Sequence, residues 1–498
     1  MIRKLFNKYN SLSSVVRAGL WFTICNFLQK GISFITVPIF TRIMSTEEYG
    51  LYSIYLSWYD IITIFATLHL SYYVFNKGLV KFEEDKDRFA VSLQSLSATI
   101  TVAFIAIYLV LKDVINPLIG LTTPLMLCLL LHVFFEPPIL YWVARKRFEY
   151  KYQAVITATI AIAVLNPLLG IILIKTASFG SSAFARAVSI VIVSAIFGIC
   201  LGAITIKKHG KLFSTHYWKY ALNFNLPLIP HYLSTTILSQ ADRIMIGNMC
   251  GNTEAAIYSV AYAIGMVCTL FSQAVLQAYL PWLYKKLKAS NYEGIISTTN
   301  TFLIGMISVL LVLICFAPEI VLIVGSEAYR AAIYVIPPIC CSVFFIFLQN
   351  LFANIEYYFE KTKLIAAASI GVAVLNVVLN YIFIKTFGYV AAGYTTLACY
   401  LVYSIVHFFV TKGICKANKV KFSELFDMKI ITSLSAGVIG IAIVMALVYR
   451  VSILRYTILA ILALIVVLNR KRIVLVFDRI RKKDGDTDET NSINGSNE

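Results

Sequence analysis

The stretch AIAVLNPLLGIILIKT, residues 161–176, decides the fold of this chain. It carries one charged side chain, Lys175, and belongs to an apolar run at 152–174 that is long enough to cross a bilayer, which takes about 20 residues. The stretch recurs as GVAVLNVVLNYIFIKT at residues 371–386, with nine identical positions at an offset of 210. The sequence therefore predicts membrane-spanning helices within an internally duplicated chain.

The composition extends this prediction to the whole chain of 498 residues. Hydrophobic residues make up 59% and charged residues 14%, whereas a soluble domain is about one quarter charged. A water-soluble enzyme of this composition would expose too much apolar surface. The ten cysteines lack the spacing of metal ligands, and the phosphate-binding loop motif of ATPases does not occur. The sequence thus predicts no metal, no other cofactor and no use of ATP.

Fourteen apolar segments, here called spans 1 to 14, are predicted to cross the membrane. They cover residues 17–41, 49–76, 89–111, 117–143, 152–174, 182–206, 218–247, 254–284, 295–317, 331–358, 364–384, 389–411, 430–449 and 453–469. The connections between them are short, and too short to build a catalytic site outside the membrane. We therefore expect an all-α, polytopic membrane protein that is not an enzyme.

The distribution of basic residues supports this topology. With a cytoplasmic N-terminus, 33 of the 43 Lys and Arg residues lie on the cytoplasmic side, seven on the opposite side and three within the spans. Cytoplasmic loops are enriched in Lys and Arg, so both termini are expected in the cytoplasm. This also accounts for the net charge of +18 without a nucleic acid partner. The basic, polar first 17 residues precede a full-length apolar run, which predicts no cleavable signal peptide.

A second match supports a duplication of six spans. TRIM at 41–44 aligns with DRIM at 242–245 at an offset of 201. Because six is even, both halves enter the membrane from the same side, as in transporters with parallel repeats that work by alternating access. The predicted parts are an N-terminal six-helix bundle at 1–211, a C-terminal six-helix bundle at 212–416, two additional helices at 417–470, and a cytoplasmic tail at 471–498 that is basic and then disordered.

Basic residues within or at the ends of the spans are the first candidates for a binding site, since a charge in hydrocarbon costs roughly 2.5–3.5 kcal/mol. Lys30 in span 1 and His231 in span 7 are related by the offset of 201, and so are Arg42 and Arg243. Together they would form a positive track suited to phosphates. The alternatives are a structural pair of Lys30 with Asp60, a hydrogen-bonded core histidine, and arginines that extend to the interface.

Acidic residues within the spans form a second group. Asp60 in span 2 is either a counter-ion to Lys30, a site for a coupling cation or proton, or a solvated carboxylate at the interface. Glu136 precedes Pro137 and Pro138 in span 4, where a kink would let it line a cavity. The alternative for Glu136 is a position near the interface, where the helix ends.

Three further expectations concern local structure. Arg186, one turn into span 6, is expected to extend to the interface. Glu356, near the cytoplasmic end of span 10, is expected to pair with Lys361 or Lys363. Prolines predict bends in span 1, at Pro38, in span 7, at Pro227 and Pro230, and in span 10, at 337–338.

Residues 38–52, PIFTRIMSTEEYGLY, resemble the start of the polysaccharide-repeat flippases. These are the Wzx-type members of the multidrug/oligosaccharidyl-lipid/polysaccharide exporter superfamily. The most specific piece is Phe-Thr-Arg, five residues, then Glu-Tyr-Gly-x-Tyr, and the resemblance covers about 12–470. It implies translocation of an oligosaccharide repeat unit, carried on undecaprenyl pyrophosphate, across the bacterial inner membrane for O-antigen, capsule or exopolysaccharide. Implied partners are this lipid-linked substrate, membrane lipids, other polysaccharide assembly proteins, and H⁺ or Na⁺ as a coupling ion.

The resemblance also implies a cationic cavity lined by spans 1, 2, 7 and 8, which Lys30, His231 and Arg243 match by location. The sugar would meet aromatic and amide side chains, for which the candidates are Tyr55, Trp58, Gln273 and Gln277. Ordinary helix packing is the alternative for all four.

Other classes of function stay open. A cation-coupled multidrug antiporter of the same superfamily would have an acidic cavity, with Asp60 and Glu136 as its main groups. A glycosyltransferase or repeat-unit polymerase would carry a large outer loop, which this sequence lacks. A scaffold without transport activity would leave Lys30 and the duplication unexplained.

Overall fold

The computed structural model describes residues 14–176, 179–207, 212–449 and 451–468, and these residues form helices without any β-strand. The α-helices are α1 Ser14–Ile43, α2 Thr46–Thr67, α3 Tyr73–Lys81, α4 Lys86–Ile119, α5 Thr123–Phe148, α6 Tyr152–Thr176, α7 Ser182–Lys207, α8 Thr215–Asn225, α9 Ile229–Met249, α10 Asn252–Gly265, α11 Val267–Lys288, α12 Ile295–Cys315, α13 Ala317–Val324, α14 Ile336–Tyr358, α15 Thr362–Phe387, α16 Val390–Ala417, α17 Phe422–Leu425, α18 Met428–Val448 and α19 Ser452–Leu468. The predicted tail at 471–498 lies outside the described residues.

The protein is a multi-pass membrane protein, and within the described residues each of the fourteen predicted spans contains α-helix. Eleven helical segments of the described chain are long and apolar enough to cross a membrane. The remaining spans differ for separate reasons: α2 is too polar, span 7 is broken into α8 and α9, and α19 has 17 residues within the described range. The all-α, polytopic fold class is thus confirmed.

The described chain forms two compact units. The N-terminal unit contains the described residues up to Ala256 and Val324–Ser326, and the C-terminal unit contains Ile257–Ile323 and the described residues from Glu327 onward. In the N-terminal unit, α2 packs against α9, α5 against α7, and α1 and α7 against α6. In the C-terminal unit, the almost fully buried α14 packs against α11, α12, α16 and α18. The division at residues 211 and 416 from the sequence repeat stays a prediction.

Prolines shape the two units differently. Span 7 is interrupted by the 3₁₀ turn Leu226–Leu228, which contains Pro227, at the place where the bend is predicted. The bend expected in span 10 is wrong, because Pro337 and Pro338 lie in the first turn of α14. Proline is tolerated there since the first helical N–H groups have no partner within the helix.

Both copies of the repeated stretch use asparagine to tie neighbouring helices together. Asn166 on α6 accepts a hydrogen bond from Arg186 on α7 through its side-chain oxygen. In the C-terminal unit, Asn380 on α15 donates to Asn376 at 3.2 Å and accepts from Thr395 on α16. In each unit an amide side chain thus links consecutive helices, and in the C-terminal unit Asn376 and Asn380 are fully buried, where an unpaired polar group would be costly.

Arg186 is buried, so the expectation that it extends to the interface is wrong. Its guanidinium carbon lies 4.6 Å from the ring centroid of Phe40 and 5.5 Å from that of Tyr52. Both aromatic residues belong to the resemblance stretch 38–52. Cation–π contacts and the bond to Asn166 therefore hold this arginine inside the unit.

The other signature residues of that stretch also have structural roles. Thr41 donates to the carbonyl oxygen of Val324 at 2.7 Å. Glu48 accepts hydrogen bonds from the hydroxyl of Ser181 at 2.6 Å and the backbone N–H of Ala183 at 2.7 Å. A carboxylate is favourable at this place because it satisfies free N–H groups at the start of α7.

Gly50 allows α2 to approach α10 closely. A Cβ on Gly50 would lie 1.7 Å from the carbonyl oxygen of Asn252. We expect Gly50→Ala to destabilise the protein by at least the cost of overpacking, about 1–3 kcal/mol, which a lower thermal unfolding midpoint in detergent would reveal. Gly371→Ala is the matched control, because nothing lies within 4 Å of its Cβ position. Equal midpoints for Gly50→Ala and the unmodified protein would contradict the close approach.

A network of ion pairs joins the predicted cytoplasmic ends of α4 and α5. Arg145, buried in the last turn of α5, pairs with Asp87 on α4 and with Glu149 at 3.1 Å. Glu149 also pairs with Lys146 at 3.1 Å and Lys151 at 2.9 Å. Partial burial acts to raise the pKa of Glu149, but hydrogen bonds from these three basic groups outweigh it and lower the pKa to about 2.

Candidate functional site

The N-terminal unit contains a polar cavity of about 320 Å³ between α2, the turn that follows it, α5 and α9. Its lining residues are Tyr59, Asp60, Thr63, Thr67, His69, Ser71, Tyr72, Glu136, Pro137, Leu140, Thr236 and Ser239. This volume falls within the range of small-molecule sites, roughly 300–1,000 Å³. The lining contains two carboxylates and no Lys or Arg side chain.

A break in the backbone forms one wall of the cavity. After α2 ends at Thr67, Leu68 and His69 have positive φ angles of 50° and 49°. Each non-glycine residue in this conformation costs on the order of 1–3 kcal/mol and needs support from its surroundings. Asn225, fully buried on α8, donates a hydrogen bond to the carbonyl oxygen of Leu68. The break turns His69 and Tyr72 toward the cavity that the α2 carboxylate also lines.

A hydrogen-bonded relay connects the predicted residues Asp60 and Arg243. Gln240 on α9 donates through Nε2 to Oδ2 of Asp60 on α2 at 2.6 Å. Its Oε1 accepts from Nη1 of Arg243 at 2.5 Å and from the hydroxyl of Ser57 at 3.2 Å. Arg243 also donates to the carbonyl oxygen of Ser239 at 3.0 Å. The Asp60 carboxylate thus accepts a hydrogen bond from one amide, and Gln240 lies between this carboxylate and Arg243.

Glu136 reaches the same cavity from α5. It is half-buried, and the residues after it, Pro137 and Pro138, lie within the helix. Proline has no N–H, so this part of α5 leaves carbonyl oxygens without their usual helical partners. Asp60 and Glu136 are therefore two acidic groups from different helices that line one cavity.

Three rings line the cavity, those of Tyr59, His69 and Tyr72, and each packs against a further ring. The ring of Tyr59 stacks on that of His132 with centroids 4.1 Å apart. The ring of His69 stacks on that of Tyr72 at 4.6 Å and is tilted against Tyr232 at 5.3 Å. Flat rings beside hydroxyl and carboxylate groups suit a ligand with one apolar and one polar face.

The other predicted basic residues do not line this cavity. Lys30 and Arg42 are exposed on α1, and Arg42 donates to the carbonyl oxygen of Pro38 at 2.7 Å. His231 is half-buried in the first turn of α9. Arg243 is connected to the cavity through Gln240.

The predicted sugar-binding residues lie in different environments. Tyr55 is fully buried on α2. Trp58 donates through Nε1 to the carbonyl oxygen of Ile119 at 2.9 Å, which ties α2 to the end of α4. Gln273 and Gln277 are exposed on α11 in the C-terminal unit. In this structure the two aromatic side chains make packing contacts, and the two amides are accessible.

Two polar stripes could have revealed the remaining cavity residues. On α2, Asp60, Thr63 and Thr67 follow each other at helical spacing, and on α9 Thr236 and Ser239 precede Gln240 in the same way. Polar residues three or four positions apart share one helix face. His69 and Tyr72 gave no such signal, since their position depends on the break after α2.

The described ranges contain no group of three or more His, Cys, Asp and Glu side chains that could hold a metal ion. The cavity carboxylates come from two separate helices.

These features define a multi-pass, all-helical membrane protein with a polar cavity among its helices. The family model described as "Polysaccharide biosynthesis protein" matches residues 15–286, more than half of the chain. The chain belongs to this family, and the resemblance expected from residues 38–52 is thereby confirmed. A second family model, MatE, matches residues 227–382.

Two curated proteins are similar over part of the chain. A protein of the Lsg locus from Haemophilus influenzae is 28% identical over 156 residues, which is 30% of this chain and 38% of that protein. The "Probable low-salt glycan biosynthesis flippase Agl15" from Haloferax volcanii is 28% identical over 179 residues, which is 34% of this chain and 37% of that protein. The matched stretches thus span just over a third of either relative.

Solved structures are similar over most of the chain. The inward closed conformation of the lipid II flippase MurJ matches with a TM-score of 0.69 and 15% identity, covering 91% of this chain and all of that chain. An inward-facing multidrug resistance MATE family transporter matches with a TM-score of 0.54 and 18% identity, covering 78% and 98%. At these identities the likeness shows a shared fold.

Proposed function

We propose that this protein is a flippase that translocates an oligosaccharide repeat unit, carried on undecaprenyl pyrophosphate, across the bacterial inner membrane for surface polysaccharide synthesis. The observation that carries the proposal is the family match over residues 15–286. The name of the Haloferax relative and the shared fold with a lipid II flippase support it. The duplicated sequence favours alternating access as the mechanism.

We assign the pyrophosphate to the basic residues predicted from the repeats. Lys30 and Arg42 are exposed on α1 and long enough to contact phosphate oxygens. His231 and Arg243 on α9 would contribute further donors. The sugar would meet the rings of His69 and Tyr72 in the cavity wall. The candidates on α11, Gln273 and Gln277, are exposed and carry the donors and acceptors that sugar hydroxyls need.

We assign the cavity carboxylates Asp60 and Glu136 to the coupling ion. A carboxylate away from bulk water is costly unless a proton or cation compensates its charge. The lining residues contain no Lys or Arg that could do so directly, and Asp60 receives one neutral amide donor from Gln240. Proton or Na⁺ binding at this pair would link the ion gradient to the movement of the unit.

A cation-coupled multidrug antiporter is the second candidate, and the acidic cavity is the observation that favours it. In that function Asp60 and Glu136 would bind the exported cation or exchange it for protons. The family match to polysaccharide biosynthesis proteins covers more of the chain than the match to MatE, and this ranks the flippase first.

Deletion of the gene, followed by analysis of lipid-linked intermediates, separates the two candidates. The flippase proposal predicts loss of a surface polysaccharide and accumulation of its lipid-linked precursor, both reversed by the intact gene. Normal polysaccharide without accumulated precursor, together with greater sensitivity to cationic drugs, would reject the flippase in favour of the antiporter.

A further inference from the structure

A carboxylate and an imidazole pair inside the C-terminal unit, far along the sequence from the cavity described above. Glu356 on α14 and His407 on α16 are both fully buried. Oε1 of Glu356 lies 2.8 Å from Nδ1 of His407. The expectation that Glu356 pairs with Lys361 or Lys363 is therefore wrong, and α16 supplies the partner instead.

Further polar groups complete a small network around the pair. The hydroxyl of Thr411 donates to the same Oε1 at 2.9 Å. The side-chain amide nitrogen of Gln349 lies 3.3 Å from Nε2 of His407. The second carboxylate oxygen of Glu356, Oε2, is buried and receives no hydrogen bond within the described residues. A bare carboxylate oxygen in such a place is unfavourable, since nothing replaces its hydration.

The titratable and charged groups around the pair lie on α14 and on the helices packed against it. Tyr403 and the exposed Lys412 lie on α16, and the ring centroid of Tyr403 is 4.7 Å from that of His407. Tyr357 lies on α14, Lys361 follows that helix, and Ser369 on α15 hydrogen-bonds Tyr403. Tyr284 on α11 donates to the carbonyl oxygen of Asn354 and is followed by Lys285, Lys286 and Lys288, and Glu424 lies on α17, which packs on α16. The helices α12 and α18 also pack on α14, and the one charged residue of either is Lys429 in the first turn of α18. Tyrosine hydroxyls are neutral at physiological pH.

A single proton makes this pair neutral in either arrangement. It can sit on the imidazole, which gives a carboxylate–imidazolium pair, or on the carboxyl group beside a neutral imidazole. Gln349 suits both arrangements, because its amide donates to an unprotonated Nε2 and, after rotation, accepts from a protonated one. Glu356 also lies two residues before the end of α14, where the helix dipole disfavours negative charge.

We propose that Glu356 and His407 form a proton-binding site within the C-terminal unit, which holds one proton between α14 and α16. Loss of that proton leaves one uncompensated negative charge in the packed interface of these two helices. This site is separate from the Asp60 and Glu136 cavity, and its occupation by a proton does not depend on which substrate the protein moves.

The test compares the pH dependence of unfolding in the purified, full-length protein. Because loss of the shared proton would leave a negative charge between α14 and α16, the proposal predicts that stability falls with rising pH. We measure the thermal unfolding midpoint as a function of pH between pH 6 and 9. The midpoint of the unmodified protein should fall more steeply than that of Glu356→Gln, and the two slopes should differ by about 3 °C per pH unit. Glu360→Gln, at an exposed position after the same helix, should keep the original slope.

Parallel profiles for the unmodified protein and Glu356→Gln would overturn the proposal. If Glu356→Gln does not fold, the double variant Glu356→Gln/His407→Gln serves as the second test, because it replaces both titratable groups by amides. The proposal predicts that the double variant also loses the steep pH dependence. An unchanged slope in the double variant would overturn the proposal equally.

Discussion

Replacement of Asp60 by asparagine should reduce glycan export by at least about tenfold, the scale expected when a coupling of 1–3 kcal/mol between two sites is lost. Asparagine keeps the size of the side chain and an oxygen that accepts from Gln240 Nε2, as Asp60 does at 2.6 Å. It cannot bind a proton or a cation by charge. The measurement is the amount of surface polysaccharide and of lipid-linked precursor in cells that carry the variant gene, at equal protein level.

Asp113→Asn is the matched control for this experiment. Asp113 lies exposed near the end of α4 and does not line the cavity. It should export glycan as the unmodified protein does. Glu136→Gln, which removes the second cavity carboxylate, should resemble Asp60→Asn. Normal export with Asp60→Asn would show that the coupling assignment is wrong.

Replacement of Arg145 by alanine should destabilise the protein by about 3 kcal/mol, because the charge-assisted contacts of this buried guanidinium with Asp87 and with Glu149 are lost together. Arg145 is 5% exposed and pairs with Asp87 and Glu149. For a unit of this size the thermal unfolding midpoint should fall by roughly 6 °C or more. Thermal unfolding of the purified protein in detergent measures this effect directly.

Lys151→Ala is the control, since the side chain of Lys151 is 60% exposed and its pair with Glu149 is a surface contact. Such contacts contribute about 0–1 kcal/mol. The pH dependence gives a second check. The pKa of Glu149 is lowered to about 2 in the folded protein, so its contribution is fully present above the ordinary glutamate pKa and is lost as the pH falls toward 2. The deficit of Arg145→Ala should therefore shrink in acid, and a small, pH-independent deficit would contradict the network.

The fold could be predicted from the sequence because it depends on features that are local along the chain. Apolar runs and the alternation of basic loops define membrane helices, and Pro227 marks the interruption of span 7. The failure at Pro337 and Pro338 has a simple cause. The same dipeptide is compatible with a kink or with the start of a helix, and only the position of the first turn distinguishes them.

The candidate site could be predicted in part. Asp60 and Glu136 could be identified as charges within apolar runs. Arg243 could be identified because it aligns with Arg42 in the sequence repeat. The role of Gln240 depends on the packing of α9 against α2, and that of His69 on a backbone break whose hydrogen bond comes from α8. Such contacts join residues far apart in sequence and leave no periodic signal.

Buried partners of single charged residues were the hardest to predict. Sequence proximity favoured lysines for Glu356, whereas the structure pairs it with His407, 51 residues away. Interface snorkelling was favoured for Arg186, whereas Asn166 and two aromatic rings hold it inside the unit. In both cases the packing of two helices determines which residue becomes the partner, and the composition of one helix does not reveal that packing.

Transport by the purified protein in liposomes tests the central claim most directly. The liposomes would contain an undecaprenyl-pyrophosphate-linked oligosaccharide, and the measurement is its exposure to an enzyme or lectin outside the vesicle. The account predicts translocation that requires the unmodified protein, rises with an imposed proton or Na⁺ gradient, and is lost with Asp60→Asn. Folded protein that leaves the lipid-linked oligosaccharide in place and exports a cationic drug instead would contradict it.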